Sequence, residues 1–396
     1  MKLLVGWDDP NEADLIGLYL GASGNEVALA GCAEEVERLA ANGTSWDAVL
    51  FPTSFPDWER GYEALVKIQE SQPDCPVIGA CHSEELFRIA RFLLKGMRSY
   101  VLRDKSRDFV FLLQSTVESV VQAVQAERER KIAERLREEI DSVRKLQESI
   151  IPRNLPAPAG YTICARYESA QIRVLGGQPV AMAGGDYYDV FTSAGSDAVL
   201  LVGDASGHGM KACMSIMTMH TLVRMIRGQS YRRTAAFVAE VNRLLSEHGI
   251  LTGDGGFITL LYGVLVSDRN EFEWCSAGHP APLVHDLATN EVSSLGSTDS
   301  TGIPLGIIAD ESYSASTALI PRQSRLLLYT DGLVEAFTDA SDGHQEFGLR
   351  GVTETLQACR HRPLSETLAE LFDASRRFTG EAGRHDDTSV VLVERA

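Results

Sequence analysis

Between Phe111 and Ile151 the chain carries neither glycine nor proline, and its middle, ERERKIAERLREEIDSVRKLQE, is densely charged with nearly balanced signs. So long a stretch without a breaker predicts one helix, ended by Pro152. Leu136, Val143 and Ile150 are seven apart, and Ile132 and Leu146 fit the intervening position. That spacing predicts a partial coiled-coil seam and a homodimer, with charge breaking the seam near Glu127 to Lys131. The alternative is a helix lying against its own domain. Such a helix divides the 396 residues into two folds, each long enough to bury its own core. The expected domains are 1–110 and 152–396, joined by a helical linker over 111–151.

Before the helix, Leu3 to Trp7, Glu26 to Ala30, Ala48 to Phe51, Val77 to Ala80 and Ser99 to Leu102 read as buried strands. Helix-period segments separate them, such as Ser83 to Lys95 with Leu86, Ile89, Ala90, Leu93 and Leu94 on one face. Five strands alternating with helices predict an α/β fold with a doubly wound parallel sheet, whose function sits at the carboxyl ends of the strands. After the helix the chain is strand-rich, with helical segments grouped near Met210 to Arg227 and Arg233 to His248. Strands in blocks with helices grouped between them predict an α+β sandwich.

The formal net charge is -18. This argues against nucleic acid and anionic membrane as partners, since both need basic surface. The seven cysteines are odd in number and never form a CxxC pair, the pattern of thiols in a reducing compartment. The longest apolar runs, such as Ile258 to Val266, are of strand length, far below a membrane span. The N-terminus reaches Asp8 and Asp9 before a signal-peptide core could form. A soluble, cytoplasmic protein is expected. The acidity also means that an anionic substrate would be repelled unless the protein binds cations.

The chemistry-bearing residues of the C-terminal half are aspartates placed where apolar strands stop. Asp186 follows Gly184-Gly185, Asp204 follows Leu200 to Gly203, Asp331 follows Leu326 to Thr330, and Asp386-Asp387 precedes the closing strand. One Asp-Gly after a strand is ordinary turn chemistry. Four sites converging from distant parts of the chain would repel one another without a compensating cation. Hard oxygen donors without clustered cysteine or histidine select magnesium or manganese. Two such ions activate water and hold a phosphoryl group for in-line attack.

GGDYYDV, VGDASGHG, FITLLYGVL, SAGHPAP, LYTDGLVEA and HDDTSVVLV, in that order, resemble the motif series of the PPM-type phosphatases, closest to the SpoIIE/RsbU-like branch. The preceding LQESIIPRNLPAPAGYTICARYESA resembles that branch's entry segment, so the resemblance covers about residues 145–396. It implies an αββα sandwich with two Mn or Mg ions in a cleft. By motif position, Asp186 and Asp204 would hold the metal pair, Asp204 bridging, with an oxygen from the Ala205 carbonyl. Asp331 and Asp386 would complete the centre. Alanine stands at 205 where the family usually has glycine, and Ser389 where it usually has threonine. The piece QIRVLGGQPVAMA is extra beside the site. His208 orients a metal water or caps the next helix; Gly278 and His279 read as a shaped hairpin. Asp189 and Asp387 are candidates for orienting the ligands, and Arg166 and Arg173 for contacting phosphate.

Residues 1–110 resemble the receiver domain of two-component systems. The acidic pair is present as Asp8 and Asp9, but Pro52 stands at the phosphoacceptor position, Cys81 at the hydroxyl position and Arg103 at the lysine position. Proline cannot become an aspartyl phosphate, so a pseudo-receiver that docks a regulatory protein or dimerises is expected. The resemblance as a whole implies a phosphatase acting on phosphoserine or phosphothreonine of a regulatory protein, a STAS-type anti-anti-sigma factor in partner switching. The competing reading is a noncatalytic adaptor that binds such a protein.

Overall fold

The computed structural model describes residues 1–172, 180–181, 183–192, 197–207, 209–230, 233–247, 256–296, 301–338, 345–380 and 386–396. The chain forms two compact units, Met1–Leu136 and Arg137–Ala396.

The first unit alternates strand and helix: β1 (Lys2–Gly6), α1 (Pro10–Ala22), β2 (Glu26–Ala30), α2 (Ala33–Ala40), β3 (Ala48–Pro52), α3 (Trp58–Ser71), β4 (Val77–Cys81), α4 (Ile89–Lys95) and β5 (Ser99–Leu102). The strands are parallel in the order β2-β1-β3-β4-β5, as a sheet crossed by helices on both faces requires. β3 and β4 are buried throughout, which explains their unbroken apolar sequence. β2 and β5 differ from the expectation of five buried strands: they are the two sheet edges, and only Ala30 and Val101 of them are fully buried. The segment expected to be one helix over Ser83 to Lys95 is a 3-10 turn, Ser83–Arg88, followed by α4. A 3-10 turn has about three residues per turn, so the face rotates away from an α-helical register. Ile89 and Phe92 are consequently buried, whereas Leu94, expected inside, is 90% exposed.

The glycine- and proline-free segment forms α5 (Val110–Ile150), 41 residues long. Val110, Leu113, Val117 and Val121 pack into the first unit's core, while Ile132, Leu136 and Leu146 are exposed.

The second unit continues with β6 (Tyr161–Glu168), β7 (Gln171–Ile172), β8 (Val180–Ala181), β9 (Asp186–Thr192), β10 (Ala198–Ala205), α6 (Met210–Ser230), α7 (Thr234–Glu247), β11 (Ile258–Val266) and β12 (Glu271–Ala277). It closes with β13 (Leu283–Asp286), β14 (Glu291–Ser294), β15 (Thr301–Gly302), β16 (Ala315–Leu319), β17 (Ser324–Tyr329), α8 (Gly348–Ala358), α9 (Leu364–Thr379) and β18 (Thr388–Arg395). One sheet runs β15-β12-β11-β10-β9 with β16 on β12, and the other runs β14-β13-β17-β18-β6. Both are antiparallel apart from the short β12–β15 pairing. Ala198, Leu200 and Val202 of β10 meet Leu326 and Leu328 of β17 and Val391 and Val393 of β18 between the sheets. The alternate residues Val199 and Leu201 pack outward with Ile216, Phe237 and Val241 of α6 and α7. Leu327 and Tyr329 pack outward with Val352, Leu356 and Leu371 of α8 and α9. The expected order of helices, two sheets and helices is therefore present. Its central strands are apolar on both faces because both faces are covered.

Candidate active site

Antiparallel pairing brings the sequence-distant aspartates to one end of the sandwich. The end of β10 lies beside the start of β9, with Asp204 opposite Asp186. In the other sheet Tyr329 at the end of β17 lies opposite Val390 near the start of β18. Asp331, just past β17, and Asp386 and Asp387, just before β18, therefore belong to the same end.

Two side-chain hydrogen bonds tie these pairs together across the sheets. The Thr330 hydroxyl donates to Asp186 Oδ2 at 2.6 Å, and the Gly185 amide donates to Asp387 Oδ2 at 2.6 Å. Asp387 also accepts from the Ala170 amide at 2.8 Å, so it pins the turn that delivers Asp186. Thr330 is held by Ser389, whose amide donates to its hydroxyl at 2.8 Å. Two glycines are dictated by close approach. A Cβ on Gly332 would lie 1.8 Å from the Asp387 carbonyl oxygen, and one on Gly185 would lie 2.6 Å from the Ala205 carbonyl oxygen.

Asp186 and Asp387 are buried, and Asp204, Asp331 and Asp386 are partly buried. Burial, then the Asp204 and Asp387 carboxylates, pushes the Asp186 carboxyl well above the ordinary range. Burial, then Asp331 and Asp386, pushes Asp204 up to about 8. Asp386 is pushed up to about 6, again chiefly by burial, with Asp387 and Asp331 adding repulsion. Burial also raises Asp331. No guanidinium or ammonium among the described residues is a leading influence on any of the four. Among the described residues, no three carboxylate, imidazole or thiolate groups stand ready as ligands of a single ion. An all-oxygen, mutually repelling set of this kind fits a hard divalent cation.

The other sequence candidates divide. Asp387 stands at the site, as above. Asp189 points to the opposite face of β9, where it is fully buried and paired with Arg224 of α6 at 2.8 Å. Arg166 pairs with Glu168 and lies over the Phe372 ring, 4.8 Å from its centroid. His208 and Arg173 lie outside the described residues, as does most of the extra piece, of which β7 and β8 pair.

His279 is more than a hairpin residue. Its Nε2 lies 3.1 Å from the Tyr329 carbonyl and its Nδ1 lies 2.9 Å from the Thr259 hydroxyl. The carbonyl can only accept, so Nε2 carries the proton and Nδ1 accepts from Thr259. Thr259 is the cross-strand neighbour of Asp204, and Tyr329 leads into Asp331. The imidazole thus props one sheet against the other behind two of the aspartates. Sequence reasoning missed Thr330 and Gln147 altogether. The position of Thr330 directly before Asp331 was a usable signal, as was the place of Gln147 in the entry segment that begins LQESIIP.

In the first unit Asp8 and Asp9 follow β1, Pro52 ends β3, Cys81 ends β4 and Arg103 follows β5. All five gather at the carboxyl ends of the parallel strands. Arg103 reaches Asp8 at 2.9 Å and Glu12 at 2.8 Å. Arg107 adds contacts to Asp9 at 3.6 Å and Glu12 at 3.4 Å. The Trp7 indole donates to Glu12 at 2.9 Å. The acidic cluster is paired with the chain's own guanidinium groups.

The chain is 23% identical over 316 residues to phosphoserine phosphatase RsbU of Bacillus subtilis, covering 79% of this chain and 86% of that protein. It is 24% identical over 243 residues to protein IcfG of Synechocystis sp., covering 56% of this chain but only 36% of that protein. It therefore spans about a third of IcfG's length. Among solved structures, the SiaA-PP2C domain of Pseudomonas aeruginosa matches with a TM-score of 0.54 at 19% identity, over 68% of this chain and 99% of that one. That likeness is one of fold. Residues 194–396, just over half of the chain, match the family described as Stage II sporulation protein E (SpoIIE). Those residues contain three of the four site aspartates, and the chain belongs to the SpoIIE family.

Proposed function

We propose that the second unit is a metal-dependent protein phosphatase that hydrolyses phosphoserine or phosphothreonine on a regulatory protein. In this reading Asp186, Asp204, Asp331 and Asp386, with the Ala205 carbonyl, hold two Mn or Mg ions. The observation that carries it is the convergence of two aspartate pairs at one end of the sandwich, cross-tied by Thr330 and Asp387, with no basic side chain among the described residues as a leading influence to neutralise them. When bound, the ions supply the charge that draws a phosphate to an acidic protein and activate the attacking water. The chain's own residues fix the donors: Thr330 orients Asp186, Asp387 holds the turn before it, and His279 braces β17, which leads to Asp331, against β11, the neighbour of the strand that carries Asp204. The name of RsbU, a phosphoserine phosphatase, supports the reaction class. A phosphorylated STAS-type protein in partner switching is the proposed substrate.

Residues 1–110 are proposed to be a pseudo-receiver that binds a regulatory protein, 111–151 a linker and 152–396 the phosphatase module. Pairing of the acidic cluster with Arg103 and the absence of a carboxylate at Pro52 support a module that is not switched by aspartyl phosphate. Exposed Ile132, Leu136 and Leu146 support self-association along α5 as a homodimer. The seven unpaired cysteines support a cytoplasmic location. Among the described residues no helix is long and apolar enough to cross a membrane.

The test is manganese-dependent release of phosphate from a phosphoserine STAS protein, lost in Asp204→Asn. Absence of both turnover and metal binding in the intact chain would favour the adaptor instead.

A further inference from the structure

Gln147 lies on α5, in a stretch where Leu146, Glu148 and Ser149 are exposed, yet it is only 1% exposed itself. Its amide group is fully used. Nε2 donates to the Gly184 carbonyl at 3.0 Å and to the Asp186 carbonyl at 3.1 Å, and Oε1 accepts from the Gly184 amide at 2.8 Å. One side chain therefore satisfies three backbone groups of the short turn that ends at Asp186. On its other side the same turn is held by the Asp387 carboxylate through the Gly185 amide. Two adjacent glycines leave this turn with little conformational restraint of its own.

We propose that Gln147 is a positioning residue for the metal centre: its three hydrogen bonds seat the last turn of α5 on the Gly184–Asp186 turn and so fix the Asp186 carboxylate. This rests on the reading of Asp186 as a metal ligand. Groups that orient a ligand without touching the ion typically change metal affinity about 10- to 100-fold when removed. The coupling is reciprocal: metal binding favours the seated helix as much as the seated helix favours metal. The seating of α5 thereby sets the cation concentration at which the site fills.

The experiment is calorimetric titration of the intact chain with MnCl2, alongside thermal unfolding. Gln147→Met keeps the length of the side chain and removes all three hydrogen bonds. Ile150→Ala weakens the packing of the same helical turn against the core of the second unit without touching the glycine turn. The expected result is roughly 10-fold or greater weakening of Mn2+ affinity in Gln147→Met, and a clearly smaller weakening in Ile150→Ala at a comparably lowered midpoint, because the three hydrogen bonds to the turn are intact there. Equal affinities in the wild type and Gln147→Met would overturn the proposal and leave the phosphatase reading standing. A wild type that binds no Mn2+ would overturn both. Should Gln147→Met fail to fold, hydrogen exchange in the wild type decides. Mn2+ should slow exchange of the Gly184 amide and of the last turn of α5, and unchanged exchange there would sink the idea.

Discussion

The hydroxyl of Thr330, just past β17 of one sheet, donates to the carboxylate of Asp186, the first residue of β9 in the other, at 2.6 Å. Thr330 is completely buried and its hydroxyl also receives the Ser389 amide at 2.8 Å. Thr330→Val removes both partners while keeping the shape. Leaving the Ser389 amide unpaired costs about 1–3 kcal/mol, read as a lower denaturation midpoint. Turnover should fall about 10- to 100-fold, with recovery in Thr330→Ser. Full activity in the valine variant would show that Asp186 needs no such support.

The Asp204 carboxyl, at about 8, and the Asp386 carboxyl, at about 6, both bind their protons more tightly in the fold than in the unfolded chain. The fold is then favoured at low pH, and that stabilisation is lost as pH rises through about 6 and about 8. In chelator the melting temperature should decline over this window, and Mn2+ should flatten the decline. Asp204→Asn should melt higher than wild type near pH 8 in chelator, while losing all metal-dependent turnover. A lower melting temperature would contradict the assignment of Asp204 as a repelled carboxylate.

His279 behaves in the opposite sense. Burial pushes its imidazole down to about 3, so the fold holds it neutral and loses stability as pH falls from about 6.5 toward that value. His279→Gln should be less stable at neutral pH by about 1–3 kcal/mol. The gap to wild type should narrow on acidification, because the variant has no imidazole to protonate. Urea titrations at a series of pH values measure this, and a constant gap would count against it.

In the first unit the Arg103 and Glu12 side chains are about one-tenth exposed. Arg103→Ala leaves Glu12 without its closest cation and should cost about 3 kcal/mol or more. Adding Glu12→Gln, which retains an acceptor for Trp7, should restore much of the loss. Acetyl phosphate should label neither protein at an aspartate; labelling of the wild type would overturn the pseudo-receiver reading.

Self-association along α5 is tested by sedimentation of the intact chain carrying Leu136→Asp and Val143→Asp. Weaker association is expected, since charge at seam positions opposes helix pairing. An unchanged sedimentation coefficient would place any dimer contact elsewhere.

Much of the fold is legible in the sequence. The long helix followed from an absence of breakers, and the parallel sheet from apolar runs that alternate with helical periods. The layered sandwich and the four aspartates followed from ordered motifs. These features depend on local spacing, which a sequence displays directly. Where spacing misled, geometry beyond the segment was responsible: a 3-10 turn before α4 rotated its buried face, and β2 and β5 took the sheet edges.

The sequence by itself determined the residue types of the site and the strands that carry them. Only the tertiary structure decided that Thr330 grips Asp186, that Asp189 faces away toward Arg224, that His279 braces two sheets, and that Arg103 pairs with the acidic cluster of the first unit. The most consequential of these is Gln147, a polar residue in a charged helix whose amide matches three backbone groups some 37 residues away. A hydrogen bond between distant segments depends on how strands pair and layers stack, and that pairing is set by burying the whole apolar core at once.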